Sequence, residues 1–222
     1  MLKARFLDQI TPQDVPALRG ATGRLMGEQG ILFHHHTPTG YRYSYPLIQY
    51  KCIQQQPALI CLGAGVQAIQ TYLRKPSVAI EIGTKRLSMQ IGQLDMFNHP
   101  LEVGDVLQTY RIHRWLALNQ KNYAHYQSLT NRDEQQSLLE RILTANLLSF
   151  ARGINWQIEQ RIKANVLSCK PRNVSYKKLK LKAFDVEFST NVSLPYDIGL
   201  GGKVSLGFGT VGPTLSSEIL TT

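Results

Sequence analysis

The chain has 222 residues, 43% apolar and 18% charged, enough for one large core or two small ones and too apolar for global disorder. Against 15 Asp and Glu stand 25 Lys and Arg, a net charge of +10 without a long charge run. That balance points to a polyanionic partner, nucleic acid foremost. Cys52, Cys61 and Cys169 form no CxxC pair, which suits a reducing cytosol and offers no zinc or disulfide signature. The N-terminal residues lack an apolar signal core, and no apolar run approaches a membrane span. The chain is therefore expected to be cytoplasmic and free of membrane. Asn173 and Asn191 head glycosylation-type triplets that a cytosolic protein would not use.

In chain order, residues 2–9 read as a strand. Thr11-Pro12-Gln13-Asp14 reads as a helix start, and the helix is expected to reach Gly27 with Arg19 and Arg24 on its surface. A histidine-rich loop follows, then a strand over 43–54, a turn at 55–57 and a buried strand over 59–62. Gly63-Ala64-Gly65 opens a second helix that ends near Pro76. Strands over 77–82 and 86–92 meet at Gly83-Thr84. This order is that of a ferredoxin-like βαββαβ unit. The polar stretch 98–105 marks a boundary, giving domains over 1–100 and 101–222. The second half repeats the pattern with a strand over 106–118. A helix follows from Asn131 to Gly153, carried by the stripe Leu139, Ile142, Leu143, Leu147 and Phe150. Strands over 156–168 and 179–192 and a short one after Gly209 complete it, with a glycine-rich loop in place of the second helix. The expected fold class is α+β: two tandem ferredoxin-like, RRM-type domains with antiparallel sheets.

Two stretches carry chemistry. Residues 32–51 place His34, His35 and His36 before a Thr-Pro-Thr-Gly break and an alternating aromatic segment holding Tyr41, Tyr43, Tyr45 and Tyr50. Titratable groups thus ride on a loop that leads into a strand, a common way to present functional side chains. Residues 199–209 read G-x-G-x5-G-x-G: Gly199, Gly201, Gly202, Gly207 and Gly209 flank Lys203. Glycines let backbone amides approach phosphate, and a lysine adds charge. The pattern fits neither a P-loop nor a dinucleotide fingerprint, and a plain glycine-rich turn remains the alternative.

The late glycine loop resembles the signature of the Cas6 family, CRISPR-associated RNA endonucleases of the RAMP superfamily built from two ferredoxin-like domains. Leu18-Arg19-Gly20-Ala21, Leu32-Phe33-His34-His35-His36 and Tyr43-Ser44-Tyr45-Pro46-Leu47-Ile48-Gln49-Tyr50-Lys51 resemble the Cas6b branch in order and spacing. The resemblance implies a metal-independent endoribonuclease that binds and cuts CRISPR repeat RNA (the pre-crRNA), leaving a 2′,3′-cyclic phosphate and a 5′-hydroxyl, with no cofactor. It maps the cutting residues onto His36 or His34 and onto Tyr43. Association as a homodimer, or with a CRISPR effector complex, stays open. So does a second reading, a RAMP-type RNA-binding subunit that does not cut.

The chemistry suits those residues. An imidazole titrating near roughly pH 6.5 serves as base or acid, and a neutral phenol as acid or positioning group. His36 is read as the base, Tyr43 as the acid or positioning group, and His34 as support. Lys51, Lys203 or a nearby Arg would steady the phosphorane. His34-x-His36 alone lacks a third ligand close in sequence for a metal. For grip on RNA, the candidates are Arg19, Arg24, Lys51, the glycine loop with Lys203, the alternating Lys178, Lys180 and Lys182, and the group Arg161, Lys163, Lys170 and Arg172. His99, His113 and His125 are isolated and are read as structural or surface residues.

Overall fold

The computed structural model describes residues 1–26, 36–37, 40–41, 45–73, 79–177 and 179–214. It divides into two compact units, Met1–Asn98 with Ser205–Gly207, and His99–Val204 with the residues from Phe208 on.

In the first unit, β1 (Leu2–Phe6) leads to α1 (Val15–Met26), then to the two-residue strands β2 (His36–Thr37) and β3 (Gly40–Tyr41). β4 (Ile48–Ile53), β5 (Gln56–Cys61), α2 (Ala64–Leu73), β6 (Ile80–Ile82), β7 (Lys85–Leu87) and β8 (Ile91–Met96) follow. The main sheet is ordered β4-β5-β1-β8, with every pairing antiparallel. β1 buries Leu2, Ala4 and Phe6 at period two, so one face of the central strand meets the core. Leu18, Ala21 and Met26 of α1 and Ile69 of α2 pack into that core.

Local chemistry sets the joints. Thr11–Asp14 form a turn rather than the helix start read from sequence: the Asp14 carboxylate accepts from the Thr11 amide at 2.8 Å, and the helix begins only at Val15. The β4–β5 hairpin turns on Gln54 and Gln55, at φ of 50° and 62°, one residue earlier than expected. Two central residues with positive φ match the right-handed twist of the strands. Residues 86–92 are not the last strand. β6 and β7 form a separate small hairpin, and the fourth strand of the sheet is β8. Asp8 pins that change of path by accepting from the Ser88 and Met89 amides at 2.7 and 2.8 Å.

The second unit contains β9 (Val103–Trp115), α3 (Gln120–Ser128), α4 (Arg132–Gly153), β10 (Ala164–Tyr176), β11 (Leu179–Val192) and β12 (Thr210–Gly212). Its sheet runs β10-β11-β9-β12, again antiparallel. Each sheet therefore places its strands in the order second, third, first, fourth, and the fold is two ferredoxin-like domains in tandem. On α4, Leu139, Leu143, Leu147 and Phe150 recur on one buried face. β10 starts at Ala164, not 156. Asn191 competes for the backbone just before it, accepting from the Lys163 amide at 2.7 Å and donating to the Arg161 carbonyl at 3.1 Å.

α2 approaches the strand entry so closely that a Cβ on Gly65 would lie 2.5 Å from the Leu47 carbonyl oxygen. Gly65→Ala is expected to cost about 1–3 kcal/mol of stability. Gly104→Ala, where the nearest atom to a new Cβ lies at 4.0 Å, should leave the denaturation midpoint unchanged. Equal midpoints for the two variants would contradict this packing.

Candidate nucleic-acid interface

The histidine segment lies in sequence between α1 and β4. His36 pairs with Tyr41 and Thr37 with Gly40 in a two-rung antiparallel ladder. That hairpin is not part of either four-stranded sheet. His34 and Tyr43 lie outside the described residues. A connection this long between helix and strand is where functional groups commonly sit.

Among the described residues, the part of the tyrosine-rich block within β4, with Tyr45 before it, is largely core. Tyr50 and Ile48 are fully buried, and Tyr45 nearly so. Gln49 is buried as well and donates to the Tyr45 hydroxyl at 2.9 Å and the Pro46 carbonyl at 3.1 Å. Lys51 corrects the expectation placed on it. At 1% exposure it is withheld from a solvent-borne phosphate, because β4 is buried along Ile48–Lys51 rather than on alternate residues alone. Part of that cover comes from residues 205–207: a Cβ on Gly207 would meet the Tyr50 carbonyl oxygen at 3.3 Å.

The glycine loop is shaped by packing. Gly201, Gly207 and Gly209 have φ of 94°, 81° and 64°. A Cβ on Gly201 would strike the Trp115 ring at 2.7 Å, and one on Gly209 the Leu200 carbonyl oxygen at 1.9 Å. The amides of Leu200, Gly202 and Gly209 are spent on the carbonyls of Gly209, Leu116 and Arg114, and Gly199 bridges Thr210. Leu200, Val204, Leu206 and Phe208 are buried. Those three amides are therefore not available to a phosphate. What the loop shows to solvent is Lys203, held at φ 54° with its ammonium 4.4 Å from the centre of the Tyr176 ring. Burial, with Lys177 nearby, holds that ammonium below the ordinary lysine value. Around the same rings, the Arg114 guanidinium stacks 4.3 Å over Phe208, and Phe208 meets Tyr176 edge-on. Cations interleaved with aromatic faces suit both phosphates and bases.

Among the other expected contacts, Arg24 is exposed on the last turn of α1 and Arg19 is half-buried. Lys180 is exposed on β11. Lys182 lies on the same strand face with its ammonium 4.7 Å over Tyr126, while Lys178 lies outside the described residues. Beside α4 and the start of β10, a groove of about 480 Å³ gathers Arg141, Arg161 and Lys163 with Glu140, whose carboxylate is engaged by the Val166 amide at 2.9 Å. Among the described residues no group of three or more His, Cys, Asp or Glu is placed to hold a metal ion, and no helix is long and apolar enough to cross a membrane.

Sequence reading missed one cluster. His113 on β9, Arg172 on β10 and Asp185 on β11 meet on the second sheet: His113 Nδ1 lies 3.8 Å from one Asp185 oxygen, and Arg172 donates to the other at 2.7 Å. Their separation in sequence hides them, and only strand register brings them together.

Residues 1–99 match the family model for the Cas6b N-terminal domain, and residues 102–214 that for the Cas6b C-terminal domain. A solved structure described as the crystal structure of Cas6b superposes with a TM-score of 0.83 at 25% identity, covering 96% of this chain and 99% of that one. A second, described as CRISPR RNA processing endoribonuclease Cas6b, gives a TM-score of 0.69 at 24% identity over 96% of this chain and 100% of that one. An uncharacterized protein of Methanocaldococcus jannaschii is 41% identical over 97 residues, which span 44% of this chain and 65% of that curated relative.

If the solvent-facing lysines hold RNA, Lys203→Ala and Lys180→Ala each flatten the plot of log affinity against log salt by about 0.7. Lys51→Met leaves that slope unchanged. A slope change at Lys51 equal to that at Lys203 would contradict the burial described.

Proposed function

This chain belongs to the Cas6b family, and on that premise we propose that it is an endoribonuclease that binds CRISPR repeat RNA and cuts it to process the long transcript. The observation that carries the proposal is the match along nearly the whole chain, both domains in order, to a structure described as Cas6b. A relative of the same fold is described as a CRISPR RNA processing endoribonuclease. The charge of +10 and the basic, aromatic surface around Lys203 and Tyr176 fit an RNA substrate.

The reaction is transesterification within the RNA. A base removes the proton from a ribose 2′-hydroxyl, the oxygen attacks the adjacent phosphorus, and the 5′-oxygen leaves with a proton from an acid. The products are a 2′,3′-cyclic phosphate and a 5′-hydroxyl, with atoms balanced and no water consumed. His36 is assigned as base, Tyr43 as acid or positioning group, and His34 as support. A hairpin outside the sheets is a suitable carrier for His36, because it can meet a substrate without disturbing either core. With Lys51 buried, charge opposite the phosphorane falls to another cation.

Replacing His36 with Ala should slow single-turnover cleavage by about 100-fold or more while RNA affinity stays near that of the parent. Tyr43→Phe should cost less. Near-normal cleavage by the His36 variant would move the base to another residue. Tight repeat binding with no cleavage by the parent chain would make it a non-cutting RAMP subunit.

A further inference from the structure

We propose that the open face of the second sheet carries a separate binding site for a phosphodiester of the RNA backbone, formed by His113 and Arg172 on an Asp185 scaffold. The proposal rests on the RNA-binding reading above and adds a site to it.

The backbone is shaped for these groups. Phe184 pairs with Trp115 and Val186 with Ile112, so between those rungs Asp185 alone faces both His113 and Arg114. Two residues opposite one is a β-bulge, a device often found beside sites because it re-aims side chains. The bulge leaves Arg114 at φ 53°, a costly conformation for a residue with a Cβ. Asp185 stabilises it by accepting from the Arg114 amide at 2.9 Å. Its second oxygen takes Arg172 at 2.7 Å. Both carboxylate oxygens are thus occupied and the side chain is 18% exposed, while the His113 and Arg172 side chains remain 47% and 58% exposed. The scaffold is withdrawn and the donors are presented.

The surroundings favour an anion. Register puts Lys170 opposite Asp185 and Arg111 opposite Glu187, so Arg111, Lys170 and Arg172 stand against Asp185 and Glu187 on this face. The Arg111 Nε is buried without an acceptor among the described residues. On the other side, β12 sets Thr210 opposite His113 and Gly212 opposite Arg111, and neither carries a charge. A Cβ on Gly212 would meet nothing within 4 Å among the described residues, so none of their side chains crowds that end of the shelf. A guanidinium with unused fork donors beside an imidazole is suited to a phosphodiester. Burial and the Arg111 and Arg172 charges hold His113 below the ordinary imidazole value despite Asp185, so near pH 7 it is largely uncharged. A phosphate beside it favours the protonated ring, so binding takes up a proton and strengthens as the pH falls.

The test uses the full chain and a repeat RNA blocked by 2′-deoxy substitution at its cut site, with affinity measured at pH 6 and pH 8. Arg172→Ala is expected to weaken binding about tenfold at both. His113→Ala should weaken it severalfold at pH 6 and little at pH 8. In the parent, the His113 imidazole titration, followed by NMR, should move up when RNA is added. Both substitutions lie on exposed side chains, and the unfolding midpoint should hold. Parent-like affinity for both variants at both pH values, while the parent binds, would overturn the site and leave the function standing. So would a loss of affinity matched by a fall in the midpoint, which would make the trio a structural ion pair. A parent chain that binds no repeat RNA would remove the function and this site together.

Discussion

One backbone approach governs the second domain. At Gly209 the chain passes so close to the Leu200 carbonyl that no Cβ fits, and at Gly201 it lies against the Trp115 ring. These contacts fold the glycine loop back on itself and deliver β12, only three residues long, to the edge of β9. A strand that short contributes little through its own ladder. It is held by what precedes it, including the buried Leu200, Val204 and Phe208. From that closure follow the position of Lys203 over Tyr176 and the flanking of His113 by Thr210. The glycines therefore fix where a few cations stand.

The two domains use one frame for different ends. In both, the first strand lies inside the sheet, between the third and the fourth. In the first domain the histidines lie in sequence between α1 and β4, and β4 is buried along Ile48–Lys51. In the second, the long hairpin of β10 and β11 carries lysines and arginines, and the bulge on β9 brings His113 to them. Cores made of Leu, Ile, Tyr and Phe keep these frames rigid, so that reactive and charged groups can be placed on turns and open faces.

Much of this was legible in the sequence. Element order was readable because Gly and Pro punctuate the first half and because α4 carries a strict leucine stripe. α3 was not, since none of its residues is buried and it has no apolar period to detect. The fourth strand of the first sheet was displaced because the β6–β7 hairpin and β8 both offer apolar residues, and only pairing with β1 decides between them. Lys51 looked like a surface cation because strand alternation says nothing about a strand covered on both faces. The glycine motif was visible, but its packing role was not, because the partners Trp115 and Leu116 are distant in sequence. His113 was set aside as isolated for the same reason: Arg172 and Asp185 reach it only through register.

The most direct test of the account is cleavage of repeat RNA in EDTA, beside a set of copies that each carry one 2′-deoxy substitution. The account predicts that cleavage persists without free metal and that a single substitution abolishes it, identifying the attacking 2′-hydroxyl. Cleavage that needs added metal and proceeds on every 2′-deoxy copy would contradict it.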